Sequence, residues 1–340
     1  MNYISDFISD ASSDLPQLTP HQQNVAHTYP HKVSSYYAGL IQSPGDPIWR
    51  QCMPDPEELN DPEQSPDPLS ETLLSPVPGL IHRYPDRVVL LVSGRCAVYC
   101  RFCMRKRLVG SEGDAPLSSE NLERAAAYIE SHTEIKDVIL SGGDPLMLSD
   151  ASLHLILKRL RAISNVSIIR IGTRIPVTLP ARITVELCTM LNQFQPLYIN
   201  THFNHPAEIT AESAQACSLL ANAGIPLGNQ SVLLKGVNDS VSVLRELLTG
   251  LLAIRVRPYY LHQMDLVQGT AHFRTSVQKG LELMRGLRGH VSGLAIPNYM
   301  IDLPGGKGKV ALLPHDVERV GDTLYITTYK GERVAYLDKT

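Results

Sequence analysis

From Arg87 onward, short apolar runs rich in Val, Ile and Leu alternate with longer stretches of helical pattern. The runs are Val88–Val92, Val138–Leu140, Val166–Ile171, Leu197–Asn200, Ile225–Leu234 and Val256–Leu261. Between them lie helix-like segments such as Ser119–His132, Ala151–Ile163, Thr184–Asn192 and Ala211–Ala223. Strand–helix alternation of this kind implies βαβ units and a parallel sheet. The expected class is therefore α/β, and six strands suggest a partial (β/α)6 barrel. Pattern alone leaves a doubly wound open sheet as the alternative.

Before the alternation the chain has a different character. Met53-Pro-Asp-Pro-Glu-Glu-Leu-Asn-Asp-Pro-Glu-Gln-Ser-Pro-Asp-Pro68 cannot be one long helix, because proline interrupts it repeatedly. Residues 1–75 are expected to form short helices and loops that wrap the main body. Residues 76–275 would be the barrel, and residues 276–340 a C-terminal segment with short strands near Leu324–Thr328. A net charge of −3 gives no general reason to expect nucleic acid or an anionic membrane as partner. No apolar run reaches membrane-spanning length. Met1–Asp14 is acidic and lacks a signal pattern, so a soluble cytoplasmic protein is expected.

Three of the six cysteines fall within Cys96-Ala-Val-Tyr-Cys100-Arg-Phe-Cys103, directly after the first apolar run. That places them where a strand's C-terminal end meets a loop, the functional face of such barrels. Close, loop-compatible cysteine spacing suits an iron–sulfur cluster, and three ligands for four irons leave one iron open. A zinc site would need a fourth Cys or His at matching spacing, and none is obvious nearby. Other stretches are ambiguous on their own. Leu140-Ser-Gly-Gly-Asp-Pro145 reads as a turn, Arg105-Lys-Arg107 as surface charge, and Pro304-Gly-Gly-Lys-Gly-Lys309 as a mobile loop.

The cysteine spacing, with an aromatic residue before the last Cys, resembles the radical S-adenosylmethionine (SAM) superfamily. Nearly the whole chain resembles the lysine 2,3-aminomutase family. The matching stretches include Ser75-Pro-Val-Pro-Gly-Leu-Ile-His-Arg-Tyr-Pro-Asp-Arg87, Asn200-Thr-His-Phe-Asn-His-Pro206, Pro226-Leu-Gly-Asn-Gln-Ser231, Arg257-Pro-Tyr-Tyr260 and Asp302-Leu-Pro-Gly-Gly-Lys-Gly-Lys309. The resemblance implies a barrel of radical SAM type with a 4Fe–4S cluster on Cys96, Cys100 and Cys103. It implies SAM against Gly142, Gly143, Asp144, His202 and Gln230. It implies pyridoxal 5′-phosphate (PLP) held by Arg83, Tyr84 and Arg87 and carried as a Schiff base on Lys309, with Lys307 the less favoured lysine. Arg105 would then take the substrate carboxylate, and Asp265 and Asp302 the distal ammonium of L-lysine.

The implied activity is an isomerase that moves the α-amino group of L-lysine to the β-carbon, regenerating SAM and drawing on a reductant such as flavodoxin or ferredoxin. Related readings are a β-lysine-forming enzyme serving elongation factor P, or an aminomutase for another amino acid such as glutamate. Some family members have a structural zinc site whose Gly-Val-Asn-Asp-Cys run ends here in Ser240, and the further cysteines are missing. No zinc is therefore expected, and a homo-oligomer is left open.

Overall fold

The computed structural model describes residues 1–4, 17–61, 64–110, 115–314 and 316–337. Most of the acidic Met1–Asp14 stretch lies outside the described residues, as do two positions, 62 and 63, of the proline-rich run. Proline shapes the first part of the chain as the sequence suggests. Helices α1 (Pro20–Thr28), α2 (Ser35–Ala38) and α3 (Pro47–Cys52) are short. Two of them open on proline, whose fixed φ suits the first turn, behind the caps Thr19 and Asp46.

Strands β1 (Leu80–Tyr84) and β2 (Arg87–Ser93) then form an antiparallel hairpin with Tyr84 paired to Arg87. The chain continues through α4 (Ser119–Ser131), β3 (Asp137–Gly142), α5 (Asp150–Arg161), β4 (Ile168–Gly172), α6 (Ile175–Thr178) and α7 (Val185–Asn192). It goes on through β5 (Leu197–Thr201), α8 (Ala211–Asn222), β6 (Leu227–Leu233), α9 (Val241–Ala253), β7 (Arg257–Gln263), α10 (Val277–Leu287) and β8 (Asn298–Leu303). Each strand from β2 to β7 pairs in parallel with the next. Strand β9 (Gly308–Ala311) returns antiparallel to β8.

The six strands read from the sequence are thus β2–β7, and β8 is a seventh parallel strand. Its six residues sit between Pro297 and Pro304, so their alternation is hidden inside a Gly/Pro-rich stretch. The sheet continues past residue 275 into β8 and β9. Strands β10 (Val317–Val320), β11 (Thr323–Thr327) and β12 (Arg333–Leu337) make a separate antiparallel sheet. Among the described residues no helix is long and apolar enough to cross a membrane.

Helix starts are written in the sequence. α4, α5, α7, α8, α9 and α10 each begin behind a Ser or Thr whose side chain accepts a backbone N–H of the first turn. Such caps contribute about 1 kcal/mol each. Ser240 is one of them, at the start of α9. The core lies between sheet and helices: Leu90, Leu140, Ile169 and Ile199 are wholly buried with Ile129, Ile156 and Leu157. Burying a side chain of this kind stabilises the fold by roughly 1.5–3 kcal/mol.

The N-terminal wrap is fastened to the cysteine loop by a buried ion cluster. Glu58 is 1% exposed, and its carboxylate accepts from Arg101 Nε and Nη2 at 2.9 and 2.6 Å and from Lys106 Nζ at 2.5 Å. Arg101 also donates to the Pro30 carbonyl, and its backbone N–H donates to the Gln51 carbonyl. Lys106 lies over the Tyr29 ring, and burial brings its ammonium down to about 8 despite Glu58. Removing the anion from such a cluster strands two buried cations. Glu58→Gln is therefore expected to lower unfolding stability by about 3–5 kcal/mol. Denaturant titration checks this, and a variant within the wild-type error would contradict it.

Candidate active site

The loop after β2 places Cys96, Cys100 and Cys103 on the wall of a cavity of about 270 Å³ at the C-terminal ends of the strands. All three are free thiols and only partly exposed. Among the described residues no three Cys, His, Asp or Glu side chains converge closely enough to hold a single metal ion. A cubane cluster spreads its irons, so its ligand sulfurs stand further apart than ligands sharing one ion. Burial and the neighbouring acidic groups push the Cys96 thiol up, and burial and Cys100 push Cys103 up to about 11. Cationic metal would reverse that preference, because ligating cysteines bind as thiolates. Arg174 adds positive charge: its Nη1 donates to Cys100 Sγ at 2.8 Å.

The two glycines at the end of β3, Gly142 and Gly143, are required by the protein's own backbone. Gly142 has φ +126°, and a Cβ there would stand 2.3 Å from the Ser93 carbonyl oxygen. At Gly143 a Cβ would stand 2.4 Å from the Arg95 carbonyl oxygen. The backbone N–H groups of Gly143 and Asp144 donate to those same two carbonyls. This close crossing locks the glycine loop to the cysteine loop, and both glycines line the cavity. Asp144 lines the same cavity, with its side chain engaged by the protein itself. Its carboxylate already accepts from the Leu146 and Arg174 backbone N–H groups and the Thr173 hydroxyl. It ties the β3 loop to the β4 loop, leaving the glycine backbone to face the cavity.

His202 follows β5 and lines the same cavity. Its Nε2 is buried without a hydrogen-bond partner, and burial with nearby Arg174 lowers its pKa to about 3. A neutral imidazole with an unsatisfied nitrogen is a site waiting for a polar ligand group. Gln230 on β6 lines this cavity and an adjoining one of about 370 Å³.

The second cavity gathers Arg83, Tyr84 and Arg87 from the β1–β2 hairpin with Arg170 and Lys309. Both Arg83 and Arg87 lie over the Tyr84 ring, at 4.9 and 4.5 Å. The Tyr84 hydroxyl accepts from the Lys309 backbone N–H at 2.7 Å, joining residues 225 apart. With Arg105, which also lines this space, four guanidinium groups and an amine surround it, which suits a phosphorylated ring bearing an aldehyde. Lys307 is exposed and lines neither cavity. The Pro304–Lys309 stretch is not a free surface loop: it leads straight into β9, where Lys309 faces Asp302 across the ladder.

That cross-strand pair joins the two cavities. Lys309 Nζ donates to Asp302 Oδ2, and Arg83 Nη1 stands 2.9 Å from Oδ1. The Arg83 contact is close but not aligned as a hydrogen bond, so the buried Oδ1 lacks a donor. Asp265 lines the first cavity with Asp302. Burial, then the Asp302 charge, raises its carboxyl to about 6, while Lys309 and Arg83 pull the other way. Arg105 lines both cavities too, bound to Glu71 and Ser141. The run Arg105-Lys106-Arg107 is thus not surface charge, since Glu58, Glu71 and Asp67 pair with its members.

Sequence reasoning missed Arg174, Arg170, Glu71 and His262. Arg174 is held by Tyr37, Gln51 and Glu208 from three separate segments. His262 lines the first cavity with its pKa lowered to about 3, by burial and then by Lys309 and Arg83. Position at a strand's C-terminal end could have flagged Arg174 and His262, which follow β4 and end β7.

The model of the radical SAM superfamily matches residues 90–248, and the lysine-2,3-aminomutase model matches residues 284–332. An L-lysine 2,3-aminomutase of Clostridium subterminale is 49% identical over 308 residues, covering 89% of this chain and 74% of that protein. One from Fusobacterium nucleatum subsp. nucleatum is 51% identical, covering 84% of this chain and 68% of its own length. A glutamate 2,3-aminomutase of Clostridioides difficile is 46% identical, covering 90% and 73%.

The Lys309 ammonium on Asp302 makes a measurable difference at Asp265. Lys309→Met removes the charge that favours ionised Asp265, so the Asp265 carboxyl should titrate above its present value of about 6. Infrared titration of the carboxyl band in protein purified without cofactors reads this directly. An unmoved midpoint would contradict the pairing.

Proposed function

This chain belongs to the lysine 2,3-aminomutase family and is an isomerase with a radical SAM domain, and we propose that it interconverts L-lysine and β-lysine at the two joined cavities. The observation that supports this reading is that Asp265 and Asp302 line one cavity together with Arg105, with the Lys309 ammonium bound to Asp302 and favouring ionised Asp265. Two nearby carboxylates in a closed site repel unless a cation stands between them. The distal ammonium of lysine supplies that cation, while Arg105 takes the α-carboxylate.

In this reading Cys96, Cys100 and Cys103 hold the cluster, Gly142, Gly143, His202 and Gln230 face SAM, and Arg83, Tyr84, Arg87 and Lys309 hold PLP. When bound, the cluster with SAM supplies a hydrogen-abstracting radical, and PLP supplies the conjugated system through which an amino nitrogen migrates. The protein's own residues do the positioning. Arg105 and the aspartates hold lysine at both ends, which fixes its β-carbon and restricts its rotation. His202 and His262, kept neutral, add no charge near the reacting carbons. The electron comes from an external reductant of the flavodoxin or ferredoxin class.

The glutamate relative makes substrate choice the sharpest test. A glutamate side chain would place a third carboxylate against Asp265 and Asp302, which repel it. Wild-type protein reconstituted with iron, sulfide, SAM and PLP should rearrange lysine, and glutamate far less. Asp265→Asn should lose roughly a hundredfold or more of lysine turnover, the consequence of breaking a buried charge pair worth about 3–5 kcal/mol. Its iron and PLP content should stay unchanged. Faster turnover of glutamate than lysine, or full activity in the variant, would overturn the assignment.

The acid side of the pH profile gives an independent check. Asp265 holds an ammonium only when ionised, and its carboxyl titrates at about 6. The value of kcat/KM for lysine should therefore fall as pH drops through a midpoint of about 6 or above, since this ratio reports groups of the free enzyme and Lys309 engaged by PLP favours ionised Asp265 less. A flat profile down to the ordinary carboxylate range would contradict it.

A further inference from the structure

Arg105 does not wait bare for a substrate. Its Nε and Nη2 donate to the two carboxylate oxygens of Glu71 at 2.9 and 2.7 Å, and its Nη1 donates to Ser141 Oγ at 3.0 Å. A guanidinium has five N–H bonds in a rigid plane. Glu71 takes two and Ser141 one, so one N–H remains on each Nη nitrogen. Those two can meet a second carboxylate without displacing the first.

Glu71 is itself held in place. It is 7% exposed, in a turn where Asp67 accepts the backbone N–H of both Glu71 and Thr72. Asp67 is paired in turn with Arg107, and Ser75 Oγ donates to the Glu71 carbonyl. The Pro68 carbonyl accepts from the Gly305 backbone N–H, so the same turn also touches the loop before Lys309. An acid buried beside a substrate-facing arginine weakens that arginine's pull on a second anion. Its presence is explained by orientation rather than by affinity.

We propose that Glu71 is a positioning residue: it fixes the plane of Arg105 so that the free edge of the guanidinium sets the angle at which the α-carboxylate of the substrate is held. This rests on the proposed amino acid isomerisation and extends it to a residue outside the barrel. Lysine has a long flexible chain, and its distal end is held by a different pair of groups. Only a fixed carboxylate clamp then determines where the β-carbon stands. With Glu71 lost, Arg105 can still pair with the carboxylate, now through several orientations.

The test is Glu71→Gln in the reconstituted holoenzyme, compared with wild type for kcat, for lysine affinity by calorimetry, for iron and PLP content and for thermal midpoint. The expected result is a kcat lower by roughly ten- to a hundredfold, the scale of a misplaced reacting group. Lysine affinity should hold or tighten, because the charge pair survives and the competing anion is gone. Ser141→Ala, which removes the other orienting bond, should lower kcat in the same direction by less. Unchanged kcat, with or without tighter lysine binding, would overturn the proposal, leaving Glu71 a bystander or a stand-in for substrate. Lost cluster, lost PLP or a collapsed thermal midpoint in Glu71→Gln, with normal kcat in Ser141→Ala, would also overturn it and make Glu71 a structural strut.

Every α-amino acid brings the same carboxylate. If the wild type rearranges another amino acid instead of lysine, the lysine reading fails and the Glu71 comparison runs on that substrate. A wild type that rearranges no amino acid overturns both.

Discussion

Three buried or nearly buried carboxylates from outside the cysteine loop hold the cations interleaved with it. Glu58 binds Arg101 and Lys106, Glu71 binds Arg105, and Glu208 binds Arg174 beneath Cys100. Without those anions the segment from Cys96 to Arg107 would place at least four positive charges in or against a partly closed space. Burying a charge without a partner costs several kcal/mol, so losing all three acids together would deprive the loop of its shape. The wrap formed by residues before β1 is therefore part of the site. It supplies two of the three acids, along with the Tyr29 ring and the Pro30 carbonyl that enclose Lys106 and Arg101.

The same logic runs through the second half of the site. Strand β9 turns back on β8 so that Lys309 stands directly opposite Asp302. That register brings a nucleophilic amine, a hairpin carrying Arg83, Tyr84 and Arg87, and the Asp265–Asp302 pair into one connected space. The amine rests on a carboxylate to which the substrate reading gives an ammonium of the same charge. Carboxylates built to hold one alkylammonium can hold another, so the resting arrangement already has the electrostatics that lysine would meet.

Much of this was legible in the sequence because the signals are local. Cysteine spacing, βα alternation, Ser and Thr caps and the Gly-Gly pair are each contained within a few residues. What escaped was made by distance. Glu58 lies 43 residues from Arg101, and Glu71 lies 34 residues from Arg105. Glu208 is likewise 34 residues from Arg174. Nothing in an acidic, proline-rich stretch announces that two of its glutamates will be buried against arginines. For the same reason Arg105-Lys-Arg107 reads as solvated charge until its partners are placed. Asp144 illustrates a subtler limit: its motif is visible, but only the fold reveals that its oxygens are already occupied by Thr173 and by backbone N–H groups. Strand β8 was hidden because prolines bracket it.

The most direct test of the account follows the nitrogen itself. Reconstituted wild-type protein is given L-lysine carrying 15N only at the α-amino group, under reducing, oxygen-free conditions, and the product is read by nuclear magnetic resonance. The account predicts β-lysine with the 15N on the β-carbon, retained within the same molecule when unlabelled lysine is mixed in. Label left at the α-carbon, or diluted by the unlabelled pool, would contradict it.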